Sequence, residues 1–480
     1  VYKRQVQDRS HSPLPGRITE ADVRLLRELV VALREDLAGL FAPRRLSAGS
    51  ELLPDPLQQR PRVEWSWGLG LTLACLAFAV YLALGLWIAS GTLYQHYNAL
   101  FDLDSPRFVL LFADDASAWD EGTHNVEYRI KHPFLLALRL PGLALVALGL
   151  APGTAVVLML ALAGALTVAC AWAFLRLAGV GLVESVLLTL FFAGSCAQLY
   201  FASIVESYGL AALTLAFVHL ATLMRWRGLW GHARGRFVSA LVTFGVTSTN
   251  VAQAGLAEIA VWLRRVRPRR ALVRVASYSV LLAVLLAVGV LLAHPAAWPY
   301  VADPVAGIKQ EQWIGVLDEV EIEKGGPGRE LVTFAGYGFV APGLVEVPFD
   351  GGTRTMVDYR APTFSGVGWG AVGLWTALLL GGLVALWREP GGRVRAGLYL
   401  ACLAFNMALH IPFQYRGSLF IVVSHAHFPL FAIAVAAAAW SSGARPGTRR
   451  AVQLGLALLV LLTLVNNGQR LAEVVARFAG

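Results

Sequence analysis

What limits this chain most is a succession of apolar blocks, each about 20 residues long and set apart by short arginine-bearing stretches. As helix, a block of that length reaches about 30 Å, the hydrocarbon thickness of a bilayer. Composition agrees. Of 480 residues, 57% are apolar and only 15% charged, where a soluble chain carries about a quarter charged. Mean hydropathy is +0.60. The expected fold class is an all-α polytopic membrane protein, which excludes soluble dehydrogenases, nucleic-acid binders and disulfide-stapled secreted domains. The net charge of +9 does not argue for nucleic acid, because the arginines gather in short loops between apolar blocks, as in cytoplasmic loops. Cys75, Cys170, Cys196 and Cys402 all fall inside apolar blocks without zinc-type spacing, so neither metal nor disulfide is indicated. The 36 Arg against 4 Lys are the bias of a GC-rich bacterial genome. No Met opens the chain. Val1-Tyr2-Lys3-Arg4-Gln5 is what a common sequencing-adapter end encodes in frame, so these residues are expected to be artefactual and the true N-terminus missing.

Charge orders the spans. Residues 1–67 hold eleven Lys or Arg and are expected to be cytoplasmic. Within them Thr19 and Asp22 resemble a capping box. Val23, Leu26, Val30, Leu33 and Leu37 recur at helical spacing, which predicts an amphipathic helix lying on the membrane or on the protein. A first span, about 68–91, leads outward. The first outer loop, 92–132, has seven acidic residues against three basic. Residues 133–150, interrupted by Arg139, Pro141 and glycines, are expected as an outer juxtamembrane helix that dips in without crossing. Spans at 153–175, 181–202 and 206–224 then return the chain to the cytoplasm, and 275–293 leads out again. A large outer loop, 294–366, carries ten acidic and five basic residues. Trp298, Trp313, Phe334, Tyr337, Phe339, Phe349, Tyr359 and Phe364 make it a partly ordered segment expected to cover a cavity. Spans near 367–387, 397–412, 419–440 and 451–466 complete about nine crossings. The chain thus divides into 1–67, a transmembrane core 68–293, the loop 294–366 and C-terminal spans 367–480, in a bacterial cytoplasmic membrane with the N-terminus inside.

One stretch breaks the parity. The basic loops Arg225–Arg236 and Arg264–Arg274 both belong inside, yet only residues 237–263 separate them. That length holds one span or two short helices. The charge rule selects a re-entrant hairpin with Thr247-Ser248-Thr249-Asn250 at its tip. Polar backbone at such depth is tolerated only within protein or beside a wet cavity, so the tip is expected to line a site.

The order of features resembles the GT-C superfamily of integral-membrane glycosyltransferases, over roughly residues 68–440. The carriers are Asn98-Ala99-Leu100-Phe101-Asp102-Leu103-Asp104-Ser105-Pro106-Arg107, then Tyr128-Arg129-Ile130-Lys131-His132-Pro133, and Glu206-Ser207-Tyr208 opening a helix. The hairpin tip from Gly245 to Gln253, His410-Ile411-Pro412-Phe413 and Ser424-His425 complete them. The resemblance implies transfer of a sugar from a polyprenyl-phosphate donor to an envelope glycan, lipid or protein acceptor on the outer side of the membrane. It implies no nucleic-acid partner and no obligatory cofactor. A divalent cation is permitted by the acidic pairs Asp114-Asp115 and Asp120-Glu121 but is not indicated.

Such chemistry needs a carboxylate to accept the proton of the attacking hydroxyl and cations to hold the departing phosphate. Asp102 and Asp104 lie where the superfamily carries its acidic catalytic residue. Asp104 is preferred because Arg107 follows three residues on. Solvation of an outer loop is the bland account of both. Arg107, Lys131, His132 and Arg416 are the candidate phosphate contacts, Lys131-His132-Pro133 marking a helix start. A lysine at headgroup level beside a capping His serves equally. Asn98, Glu206, Thr249, Asn250, His410 and His425 are expected to line the cavity. Against this, Ser203 through Glu206 fits a capping box, and hairpin-tip polar groups also act as interhelical glue. A transporter or lipid flippase, or a non-catalytic scaffold on the same fold, are the rival classes. No internal repeat is found and few charges sit deep in spans, Glu184 lying near a cytoplasmic end, which argues against a transporter.

Overall fold

The computed structural model describes residues 20–41, 66–96, 99–101, 103–113, 132–133, 135–229, 233–266, 268–293, 327–349, 354–359, 362–410 and 419–479. Its helices are α1 (Glu20–Phe41), α2 (Trp67–Ala89), α3 (Ser105–Ala113), α4 (Arg139–Ala147), α5 (Pro152–Ala178), α6 (Leu182–Ala193), α7 (Cys196–Ser203) and α8 (Tyr208–Trp226). There follow α9 (Ala233–Val246), α10 (Val251–Arg265), α11 (Pro268–Ala293), α12 (Pro327–Val332), α13 (Gly366–Arg388), α14 (Gly392–His410), α15 (Ser424–Ser442) and α16 (Pro446–Arg477). The protein is an all-α polytopic membrane protein with one small addition. Strands β1 (Val345–Phe349) and β2 (Arg354–Asp358) pair antiparallel, Val345 opposite Asp358.

Among the described residues six helices are long and apolar enough to cross a bilayer, namely α2, α5, α8, α11, α13 and α16; α6 with α7 makes a seventh if taken as one bent span. Helices α14 and α15 overlap the expected 397–412 and 419–440 but do not reach that apolarity, because polar residues including Arg395, Asn406, His425 and His427, all buried, lower it. Burial sorts the helices. In α8, 83% of the apolar stretch is buried, against 22% in α13 and 28% in α11. The outer helices leave Leu71, Leu272, Leu292, Leu380 and Leu454 exposed, far more contiguous apolar surface than a soluble monomer carries. Close approaches knit the interior. A Cβ on Gly382 of α13 would come within 2.0 Å of the Ile433 carbonyl on α15, so only glycine lets these two helices touch there.

Helices α9 and α10 form the hairpin. Along one straight helix, Arg236 and Glu258 would lie about 33 Å apart; instead Arg236 Nη1 donates to Glu258 Oε1 at 2.7 Å. The chain therefore folds back at Thr247–Asn250, where a short 3₁₀ turn replaces helix. Glu258 also accepts from Arg225 of α8 at 2.6 Å and from Trp262 Nε1 at 2.5 Å. Helix α1 joins the same cluster: Arg236 pairs with Asp36, which accepts from Ser277 of α11 at 2.7 Å. That ionic anchor sets the rotation of α1. Ala32 and Asp36 are buried, while Leu26, Val30 and Leu37 of the expected apolar stripe stay exposed.

The expected span 181–202 is broken by 56° at Gly194-Ser195. The reason lies in the 294–366 segment, which enters the bundle instead of only covering it. Phe334, Tyr337, Phe339, Val340 and Ala341 are wholly buried. The first N–H groups of α7 find no intrahelical acceptor. Cys196 donates to Phe339 O at 3.1 Å and Ala197 to Gly338 O at 2.8 Å. Asn467 of α16 completes the junction, donating to Gly194 O and Phe339 O and accepting from the Ala341 N–H. Irregular backbone inside the bundle is thereby satisfied by protein groups. Expected aromatics Trp298 and Trp313 lie outside the described residues.

Candidate functional site

Several separate stretches meet away from the Arg236–Glu258 cluster. The first is Ala99–Phe101, which lies along β2. Phe101 N–H donates to Val357 O at 2.9 Å, and Val357 N–H to Ala99 O at 3.0 Å. Phe101 has φ 51°, a left-handed conformation costly for an aromatic residue. Its ring is held among Tyr200, Tyr359 and Phe420, with centroids 5.4, 4.7 and 4.6 Å away. The strained residue thus aims the chain that leads into Asp104.

Asp104 caps the start of α3, its carbonyl accepting from Phe108 N–H. Its backbone N–H donates to Glu206 Oε2 at 3.3 Å. Glu206 is buried, and Ser207 Oγ donates to its other oxygen at 3.4 Å. Burial, then the neighbouring Asp104, hold the Glu206 carboxyl well above the usual carboxylate range, against the opposing hydrogen bonds from the Ser207 and Asp104 backbone. The capping box expected for Ser203 to Glu206 does not form. Helix α8 starts later, at Tyr208, so Glu206 is released toward Asp104. Tyr94 staples the non-helical link, its hydroxyl accepting from Val205 N–H at 3.3 Å and donating to Ser203 O at 3.2 Å.

Beyond Tyr208 the lining changes character. The His425 ring, at the start of α15, lies 5.9 Å from Tyr208 and 5.6 Å from His410, the last residue of α14. His425 O accepts from Gln253 Nε2 at 2.7 Å and from Asn406 Nδ2 at 3.4 Å. His132 lies close enough to His425 for their charges to interact, and its Nδ1 contacts Val246 O at 2.5 Å, at the hairpin tip. Asn250 is buried at the tip, one turn from Gln253, while Thr249 beside it is exposed. His427, two residues from His425, turns the other way toward Ser195 and Phe339. Among the described residues no group of three His, Cys, Asp or Glu could hold a metal.

Of the residues singled out in the sequence, Asp104, His132, Glu206, Asn250, His410 and His425 therefore converge. Arg107 is half-buried in the first turn of α3, three residues from Asp104. Asn98, Asp102, Lys131 and Arg416, with the acidic pairs Asp114-Asp115 and Asp120-Glu121, lie outside the described residues. Residues 133–150 hold the 3₁₀ turn Leu135–Leu138 and the nine-residue α4, about 14 Å long and too short to cross. Two contributors carried a weaker signal. Asn406 stands alone in an apolar block four residues before His410, hence on the same helix face. Nothing local marks Tyr94. Compared with known protein families, with curated proteins and with solved structures, the chain matches none.

Proposed function

We propose that this protein is an inverting membrane glycosyltransferase of GT-C type. It moves a hexosyl or pentosyl group from a polyprenyl-phosphate donor to an acceptor at the outer face of a bacterial cytoplasmic membrane. The observation that carries the reading is the buried Glu206 carboxyl, which accepts from the Asp104 backbone N–H at the end of an apolar bundle where His410 and His425 also meet. The reading includes nine crossings plus the hairpin, a cytoplasmic N-terminus and a site open to the outside.

In this mechanism Asp104 accepts the proton of the attacking hydroxyl. The acceptor oxygen bonds to the anomeric carbon as the carbon–oxygen bond to phosphate breaks. The bonding pair leaves on the lipid phosphate, where Arg107 and Lys131 balance the growing charge. Glu206 receives the Asp104 N–H, so the chain entering the proposed base is held in place from the start of α8. The bent α6–α7 pair would suit a transporter, in which discontinuous helices bind ions. Here the freed backbone groups are met by Gly338, Phe339 and Asn467, which favours a structural use.

The test is sugar transfer by the full chain in nanodiscs, together with a comparison of lipid-linked sugars between a deletion strain and its parent. Asp104→Asn is expected to slow turnover by roughly 10²–10⁴ while donor binding persists. Near-normal turnover would move the base to Asp102, Asp114 or Asp115. Absence of any transfer, with unchanged lipid-linked sugars in the deletion strain, would overturn the enzyme reading.

A further inference from the structure

Helices α13, α15 and α16 leave a groove between them, lined from Leu374 to Arg388 along α13, by Ala437 and Trp440 of α15, and from Val452 to Leu459 along α16. Its origin is side-chain size. Ala377, Gly381 and Ala385 recur every four residues, hence on one face of α13, and share the groove with Ala437 and Gly455. A Cβ on Gly455 would meet nothing within 4 Å, and one on Gly381 only Ala437, at 3.7 Å. The mouth of the groove lies far from the candidate site. Helix α14 begins at Gly392, just past Arg388, and reaches His410 only at its other end, about 27 Å along the axis. A donor lipid meeting Asp104 would therefore not use it.

Shape restricts the occupant. From Leu374 to Arg388 the helix rises about 21 Å. Over that length a volume of about 330 Å³ leaves a mean width of about 4–5 Å. One hydrocarbon chain fits such a slot, whereas a helix needs about 10 Å. The surroundings agree. Helices α13 and α16 are long and apolar enough to cross a bilayer, with only 22% and 33% of their apolar stretches buried, so the groove opens onto lipid.

Charge restricts it further. At the mouth an exposed Arg388 joins Trp440, which is 55% exposed and of the residue type that settles at headgroup level. Helix α16 runs antiparallel to α13, since Gly368 lies against Asn466 and Gly370 against Leu462. Its N-cap residue, Arg445, therefore belongs to the same end, about two turns before Val452. Other arginines there are engaged: Arg395 with Glu389, Arg449 with Glu184 at 2.6 Å, and Arg393 over the Trp387 ring. Among the described residues the guanidinium groups of Arg388 and Arg445 meet no acceptor and no carboxylate.

We propose that this groove binds an anionic phospholipid, one acyl chain lying between α13 and α16 and the phosphate meeting Arg388 and Arg445. Two guanidinium groups without a protein anion gain charge-assisted hydrogen bonds from a phosphate. Basic clefts between membrane helices take anionic headgroups for this reason. A zwitterionic lipid brings an ammonium to the same place and gains less. The site is independent of the glycosyltransferase reading and needs only that α13 and α16 span the bilayer.

In the experiment the full chain is reconstituted in vesicles of equal phosphatidylglycerol and phosphatidylethanolamine and extracted in mild detergent. Native mass spectrometry then reads the lipid retained per chain. One phosphatidylglycerol is expected, favoured on the order of tenfold over phosphatidylethanolamine. Arg388→Gln should cut that preference about fivefold, while Arg393→Gln, at the same end but outside the groove, should leave it intact. Gly455→Leu fills the open space and should expel lipid of either class. Equal retention of the two lipids, retention of neither, or a preference that survives both Arg388→Gln and Gly455→Leu overturns the proposal. So does a dimer that Gly455→Leu dissolves, which would give the groove to a second copy of the chain. The comparison of the two lipids uses the unmodified protein, so it stands even if a variant does not fold.

Discussion

Replacing Glu258 by Gln removes one charge from the base of the hairpin while conserving shape. The carboxylate is 1% exposed and accepts from Arg225, Arg236 and Trp262 at 2.6, 2.7 and 2.5 Å. Removing one member of a buried, hydrogen-bonded ion cluster costs about 3–5 kcal/mol, because the remaining charges stay desolvated. Arg236 keeps Asp36 as a partner, which puts the expectation at the lower end, about 3 kcal/mol. That is a factor of roughly 150 in the ratio of folded to unfolded protein. Unfolding in detergent can be followed with a thiol-reactive fluorophore, since Cys196 and Cys402 are buried until the helices separate. Glu473→Gln provides the matched control. Its pair with Arg470 has a similar 2.8 Å separation, but the side chains are 19% and 45% exposed, so its loss should cost under about 1 kcal/mol. Equal destabilisation by the two substitutions would show that the hairpin base is hydrated and that burial does not govern its energetics.

Asn467→Ala strips four hydrogen bonds, one to Gly194 at the α6–α7 break, two to the inserted Phe339 and Ala341 and one from Asn466, and is expected to cost about 2–3 kcal/mol in the same unfolding measurement; a loss below about 1 kcal/mol would mean that the inserted 333–341 segment holds itself. Glu206 gives a pH signature. Its folded carboxyl titrates above its unfolded value of about 4.3, so the folded state binds more protons, and the group lowers stability as pH rises through that window. Glu206→Gln should therefore match the parent near pH 4 and exceed it at pH 8, and parallel profiles from pH 4 to 9 would contradict the buried, protonated carboxyl.

Apolar block length and arginine placement were enough to read the helical class and the fold-back near Thr247–Asn250, and the helical spacing of Val23, Leu26, Val30, Leu33 and Leu37 the helix within residues 20–41, because each signal lies in one stretch of chain. The fold-back was legible for a simple reason: residues 237–263 are too few for two complete spans. What depended on distant partners was not. The bend at Gly194-Ser195 exists because Phe339 and Asn467, more than 140 and 270 residues away, supply its missing hydrogen bonds. Nothing within 181–202 announces it. Glu206 read locally as a helix cap, yet its partner is Asp104, 102 residues earlier, and α8 begins too late for the cap to form. Composition likewise marked His410, His425 and Asn250 only as polar residues in apolar surroundings. That the His410 and His425 rings meet while Gln253 and His427 bond elsewhere is a property of helix rotation. Rotation is set by packing across the bundle, where each helix's buried face is chosen by its neighbours.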